Sequence, residues 1–187
     1  MKGSSDAVRS AADRLAVLEK KRSLAIDGSR IITRKTKNMI HAIHVGEDHS
    51  PAEKDLIADK EALFKSIGDE PSVLCSAVVQ DALGEYAEAF IFAAIVKGDD
   101  IPSFDSLGIS PQSWVMGLAD SIGEVRRMIL AYLRDGKVDD ARILFGRMET
   151  VGDDAPGHIL LPSDGRYGIG HIEAQDIVAD GLHASEK

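Results

Sequence analysis

The sequence predicts an all-α fold, a single-domain antiparallel bundle of long helices, on three observations. No window alternates apolar and polar residues with a period of two, aromatic residues are only 5% of the chain, and Ala, Leu, Ile, Glu, Lys and Arg fill most windows. The 187 residues, 44% apolar and 28% charged, suffice for one domain spanning 1–187 with its own core, and exclude a fibrous or wholly disordered chain.

The helices follow in order. Residues 5–46 place Val8, Ala12, Leu15, Leu18, Leu24, Ile26, Ile31, Ile32, Met39, Ile40 and Ile43 three to four positions apart, which predicts one very long helix ending at Gly46, with Gly28 the point where an interruption would fall. Ser50, Pro51 and Glu53 supply a capping hydroxyl, a proline at the first helical position and a carboxylate at the third, starting a second helix that runs to Ile67. After Gly68 to Pro71, a third helix spans 71–97, and Ala89 to Val96 are apolar on every face, so this helix is central and buried. Residues 98–110 read as a loop; Ser110 and Pro111 then start a fourth helix over 111–135, which Gly136 ends. A fifth, over 138–151, follows a turn short enough to make it an antiparallel neighbour. Gly152 to Gly170 is rich in Gly, Pro and Asp, and a terminal helix is expected over 172–184.

One cysteine, Cys75, forms no internal disulfide or thiolate cage and is expected in the core of a protein from a reducing compartment. No apolar stretch reaches the roughly 18 to 20 residues of a membrane span, and MKGSSDAVRS lacks the apolar centre of a signal peptide, so the expected location is cytoplasmic, with no membrane partner. The net charge of −9 is unevenly spread: residues 1–45 carry ten Lys and Arg against four Asp and Glu, a local +6 that leaves −15 for the rest. A basic arm on an acidic body suits either a phosphate backbone or self-association.

Two acidic pairs interrupt the apolar helices. Glu85 and Glu88 in GEYAEAFIF share one face of the third helix, and Asp120 and Glu124 in MGLADSIGEVRRM share one face of the fourth, among Leu118, Ala119, Ile122 and Val125. Gly117 and Gly123 each cost about 1 kcal/mol in a helix interior, and close approach of a neighbouring helix is the usual recompense. If that neighbour is the third helix, four carboxylates converge and need a cation; hard oxygen ligands favour Mg²⁺ or Mn²⁺. A divalent ion held this way suits phosphodiester hydrolysis. The alternative is four solvated acids or ion pairs to Lys and Arg. A di-iron bundle expects Glu-x-x-His, whereas the spacing here is Glu-x-x-Glu.

These segments resemble the translin family, and in particular its catalytic branch, translin-associated factor X and the archaeal translin-like ribonucleases. EYAEA with Phe92 following is similar to that branch's Glu-Tyr-x-Glu-Ala-x-x-Phe, GLADSIGEVRRM to its Gly-x-Ala-Asp-x-x-Gly-Glu-x-x-Arg-Met, and RIITRKTKNMIHAIHVGE to its Arg-x-Ile, basic stretch and helix-ending His. The likeness covers residues 20–151; the C-terminal DIVADGL lacks the Arg that usually follows Asp-Val-Ala in the family. The resemblance implies a seven-helix-type bundle assembling into a hollow homo-oligomer, often an octamer, that cleaves single-stranded RNA inside by a Mg²⁺-dependent mechanism, and it allows single-stranded DNA as a further substrate. It implies that Glu85, Glu88, Asp120 and Glu124 are the metal-binding catalytic acids, and that Arg30, Arg34, Lys35 and Lys37 meet RNA phosphates, with Arg127 beside the metal. The alternative within the family is a non-catalytic shell that binds single-stranded RNA or DNA, like translin itself.

Other signals are weaker. His41 and His44 have helical spacing but no third ligand nearby, which favours a core or capping role. GRYGIGH, residues 165–171, follows no strand and reads as a loop. Trp114 reads as an anchor in the core or at an interface.

Overall fold

The computed structural model describes residues 2–154, among which there are seven helices and no strand. They are α1 (Lys2–Val45), α2 (Ser50–Ile67), α3 (Pro71–Leu74), α4 (Ala77–Lys97), α5 (Phe104–Leu107), α6 (Pro111–Arg134) and α7 (Val138–Asp154). The expected loop and helix beyond 154, with GRYGIGH, lie outside the described residues. No helix among the described residues is long and apolar enough to cross a membrane.

α1 and α2 form an antiparallel hairpin, and α1 passes Gly28 without a break. A Cβ on Gly28 would meet Leu63 Cδ1 at 2.8 Å, so this glycine lets the two helices approach rather than interrupting the first. The 44 residues of α1 extend about 66 Å at 1.5 Å per residue. Its N-terminal half overhangs the bundle: Val8, Leu15 and Val17 are exposed, at 69%, 64% and 49%, and the Arg14 guanidinium ties the arm to the Glu70 carboxylate at 2.7 Å.

α2 starts where expected, with Pro51 in its first turn, but the Ser50 hydroxyl makes no cap; His49 holds the capping position and Asp48 Oδ1 accepts the Ser50 N–H instead. The expected helix over 71–97 is divided. Ser76 is extended (φ −69°, ψ 145°), its hydroxyl donates to the Val73 carbonyl, and the chain restarts as α4. Cys75 sits in this junction and is exposed, contrary to the core position expected of it.

α4 is the central element, with Leu83, Tyr86, Ala87, Ile91 and Phe92 buried. The segment 98–110, with the single turn α5, carries the chain back along the bundle, so α6 runs in the same direction as α4. Ser113 meets Gln80, and further along Gly117 meets Gly84 and Ala87. The Ser110 hydroxyl accepts the Ser113 N–H as an N-cap, and the fully buried Ser113 hydroxyl donates to the Gln80 carbonyl. Trp114 is partly buried against the core and donates its indole N–H to the Pro102 carbonyl at 2.8 Å. α7 folds back on α6 after Gly136, and the Arg147 guanidinium reaches the Ile95 and Val96 carbonyls at the end of α4.

Candidate functional site

Gly117 sets the geometry of the site. A Cβ there would lie 2.5 Å from Ala87 Cβ, 2.5 Å from the Gly84 carbonyl oxygen and 2.7 Å from the Glu88 nitrogen, so only glycine lets α6 lie this close to α4. Close contact brings the acidic pair of α6 beside that of α4. Gly123 has another role than the one expected: nothing lies within 4 Å of where its Cβ would be, and it faces outward.

The four carboxylates act on one another. Glu88 is half-buried, and its pKa is pushed up to about 8, first by burial and then by the charges of Asp120, Glu85 and Glu124, against a downward pull from Arg127. Burial also raises Glu85, where Lys37 pulls down and Asp120 and Asp81 push up. Asp120, the most exposed of the set, is raised by burial of its inner side. Glu124 is largely covered; its Oε2 lies 2.6 Å from His44 Nε2 and 3.1 Å from Arg127 Nη1. Among the described residues, no three His, Cys, Asp or Glu side chains are drawn closely enough together to hold a metal ion in common.

Lys37, His41 and His44 of α1, Glu85 and Glu88 of α4, and Glu124 and Arg127 of α6 together line a cavity of about 400 Å³. Asp120 stands outside this lining but within electrostatic reach of Glu85 and Glu88. The basic residues of α1 lead to the cavity. Positions 30, 34, 37, 41 and 44 recur at helical spacing and form one stripe down the helix, and its Arg30, Arg34, Lys37 and His41 are exposed. Lys35 lies on another face. Its ammonium is 2.6 Å from Asp59 and 3.4 Å from Asp55 of α2, and the hydrogen bond to Asp59 is the main cause of its raised pKa. The structure therefore groups Arg30, Arg34 and Lys37, sets Arg127 at the cavity and separates Lys35 from them.

His44 is the residue that local sequence reasoning left aside. An ionised carboxylate only accepts, so its Nε2–H donates to Glu124. The ring packs on Phe92 with centroids 5.0 Å apart, which fixes the direction of that donor. The signal was present in the spacing: His41 and His44 continue the series begun by Arg30, Arg34 and Lys37.

No family model matches the chain. Over 126 residues it is 29% identical to Uncharacterized protein MJ0175 of Methanocaldococcus jannaschii, a match covering 66% of this chain and 56% of the relative, so it spans little more than half the relative's length. Among solved structures, AfC3PO is similar with a TM-score of 0.71 at 26% identity, covering 78% of this chain and 76% of that one. AfC3PO in complex with duplex RNA gives 0.72 at 22% identity over 95% and 92% of the two chains. Apo-NeC3PO gives 0.70 at 19% identity over 95% and 89%.

Proposed function

Starting from the translin-like fold that this chain shares with the C3PO structures, we propose that it is a Mg²⁺-dependent endoribonuclease that cleaves single-stranded RNA within a homo-oligomeric shell. The observation that carries this reading is the meeting of a basic stripe with a cluster of mutually repelling carboxylates in one cavity. The donor set suits a hard divalent cation by its chemistry: Glu88 is pushed up to about 8 first by burial and then by the charges of Asp120, Glu85 and Glu124, and such a group is short of positive charge. Glu85, Glu88, Asp120 and Glu124 are the residues that would hold Mg²⁺ or Mn²⁺, their side chains drawing closer than they stand here once the ion offsets their repulsion. The bound ion supplies a lowered pKa for water and neutralises charge on the phosphoryl oxygens.

The chain's own groups do the rest. Arg30 and Arg34 bind phosphates of the strand outside the cavity, Lys37 binds one where the strand enters it, and Arg127 adds positive charge beside the reacting phosphate. His44 keeps the Glu124 carboxylate in one orientation. One carboxylate takes the proton of the attacking water; the new P–O bond forms as the P–O3′ bond breaks, and the 3′ oxygen leaves by taking a proton from solvent water.

This chemistry predicts products with a 3′-hydroxyl and a 5′-phosphate. Attack by the ribose 2′-hydroxyl would instead leave a cyclic phosphate, which end analysis distinguishes. Since AfC3PO has been solved with duplex RNA, the assay includes a duplex arm. Specific binding with no cutting under Mg²⁺ or Mn²⁺ would replace this reading with that of a non-catalytic RNA-binding or DNA-binding shell. The exposed apolar residues Val8, Leu15 and Val17 on the overhanging arm of α1 support self-association.

A further inference from the structure

A second cavity, of about 520 Å³, lies between α1 and α4 beside the acidic one, and Lys37 and Glu85 line both. Along each helix the order is the same: residues 29–38 of α1 and 78–85 of α4 bound the second cavity, and residues further on in each bound the first. A strand held in one therefore continues into the other.

The lining has three kinds of group. Val78 and Ala82, one turn apart on α4, provide an apolar surface. Arg30, Arg34 and Lys37 provide positive charge from α1. Asn38 and Asp81 provide hydrogen-bonding groups, and so does Ser29, whose side-chain oxygen is buried and has no partner although the residue lines the cavity. A lone phosphate has no use for the apolar surface, and an apolar peptide has no use for the three cations. A nucleoside phosphate uses both.

We propose that this cavity is a nucleotide subsite, seating the base next to the cleaved bond against Val78 and Ala82 and its phosphate on Arg34 and Lys37. The assignment to RNA rests on the nuclease reading above; the recognition chemistry does not. Asp81 repels phosphate from the α4 side, which directs the phosphate to α1 and leaves the carboxylate to the base edge. An ionised carboxylate accepts but does not donate, so it favours a base with an amino group, cytosine, adenine or guanine, over uracil, whose carbonyls flank its single N–H.

The test is binding in EDTA, where metal-dependent cleavage is suppressed, measured by calorimetry with C₆, A₆ and U₆ oligoribonucleotides and with cytidine monophosphate. The wild type is expected to bind C₆ and A₆ about tenfold more tightly than U₆, as one charge-assisted hydrogen bond implies. Asp81→Asn should reduce that preference to less than threefold. Val78→Glu should weaken all three hexamers about tenfold, and Arg34→Ala should lower the slope of log affinity against log salt by about 0.7. Val78 and Asp81 are exposed, and melting curves check that the variants fold. Equal binding of the hexamers with no response to either α4 substitution would overturn the proposal while leaving cleavage untouched. Binding of cytidine monophosphate but of no hexamer would also overturn it, because the site would then serve a free nucleotide. A base preference that persists in a protein that cuts nothing would sustain the subsite and defeat the nuclease reading.

Discussion

Glu88 carries the clearest residue-scale consequence. Its folded pKa, about 8, lies above the ordinary glutamate value of 4.5, so between those values the folded state retains a proton that the unfolded state has lost. Stability then falls as pH rises through that window, and the metal-free protein should melt at progressively lower temperature from pH 5 to pH 8. Glu88→Gln should flatten this decline relative to wild type in parallel thermal melts. His44→Phe keeps a ring against Phe92 but removes the donor to Glu124, and should lower Mn²⁺ affinity by about 10-fold to 100-fold, read by calorimetry, with little change in melting temperature. The acidic pairs were legible in the sequence because carboxylates among core residues need a reason. The role of His44 was not, because its partner lies 80 positions away. Lys35 shows the converse: a basic run does not reveal which of its members already has acidic partners, and Asp55 and Asp59 come from another helix.

At the scale of elements, two glycines of α6 that look alike in sequence have opposite surroundings. Gly117→Ala would drive a methyl into Ala87 and the Gly84 carbonyl, forcing α4 and α6 apart at a cost on the order of 1–3 kcal/mol and separating the acidic pairs. Gly123→Ala meets nothing and should stabilise the isolated fold by about 0.4–1 kcal/mol; denaturant unfolding of both variants checks the difference in sign. Helix existence was readable throughout because the apolar period is long and regular. The break at Cys75 and Ser76 was not, because no glycine or second proline marks it, and the apolar pattern continues from Val73 and Leu74 to Val78 and Val79. Ser110 announced its cap correctly, while Ser50 shows that a capping residue type can stand beside a cap without making one.

Across the whole molecule, the charge division seen in the sequence becomes a spatial one: the basic stripe of α1 runs to an acidic cavity between α1, α4 and α6. The same helix leaves Val8 and Leu15 uncovered, although periodicity alone places them with the core residues further along. A repeating apolar stripe does not say whether its own chain or another copy covers it. Light scattering should give a mass well above 20.1 kDa at micromolar concentration, and a stable monomer would contradict assembly into a shell. The central claim is that these four carboxylates make a metal-dependent nuclease, and the most direct measurement is cleavage of an end-labelled, unstructured RNA in Mg²⁺, in EDTA, and in Mg²⁺ by a Glu124→Gln variant of unchanged mass. Cutting by the wild type in Mg²⁺ alone, lost in EDTA and in the variant, is the predicted result; an RNA that binds and stays whole in Mg²⁺ and in Mn²⁺, or that the variant cuts as fast as the wild type, would contradict it.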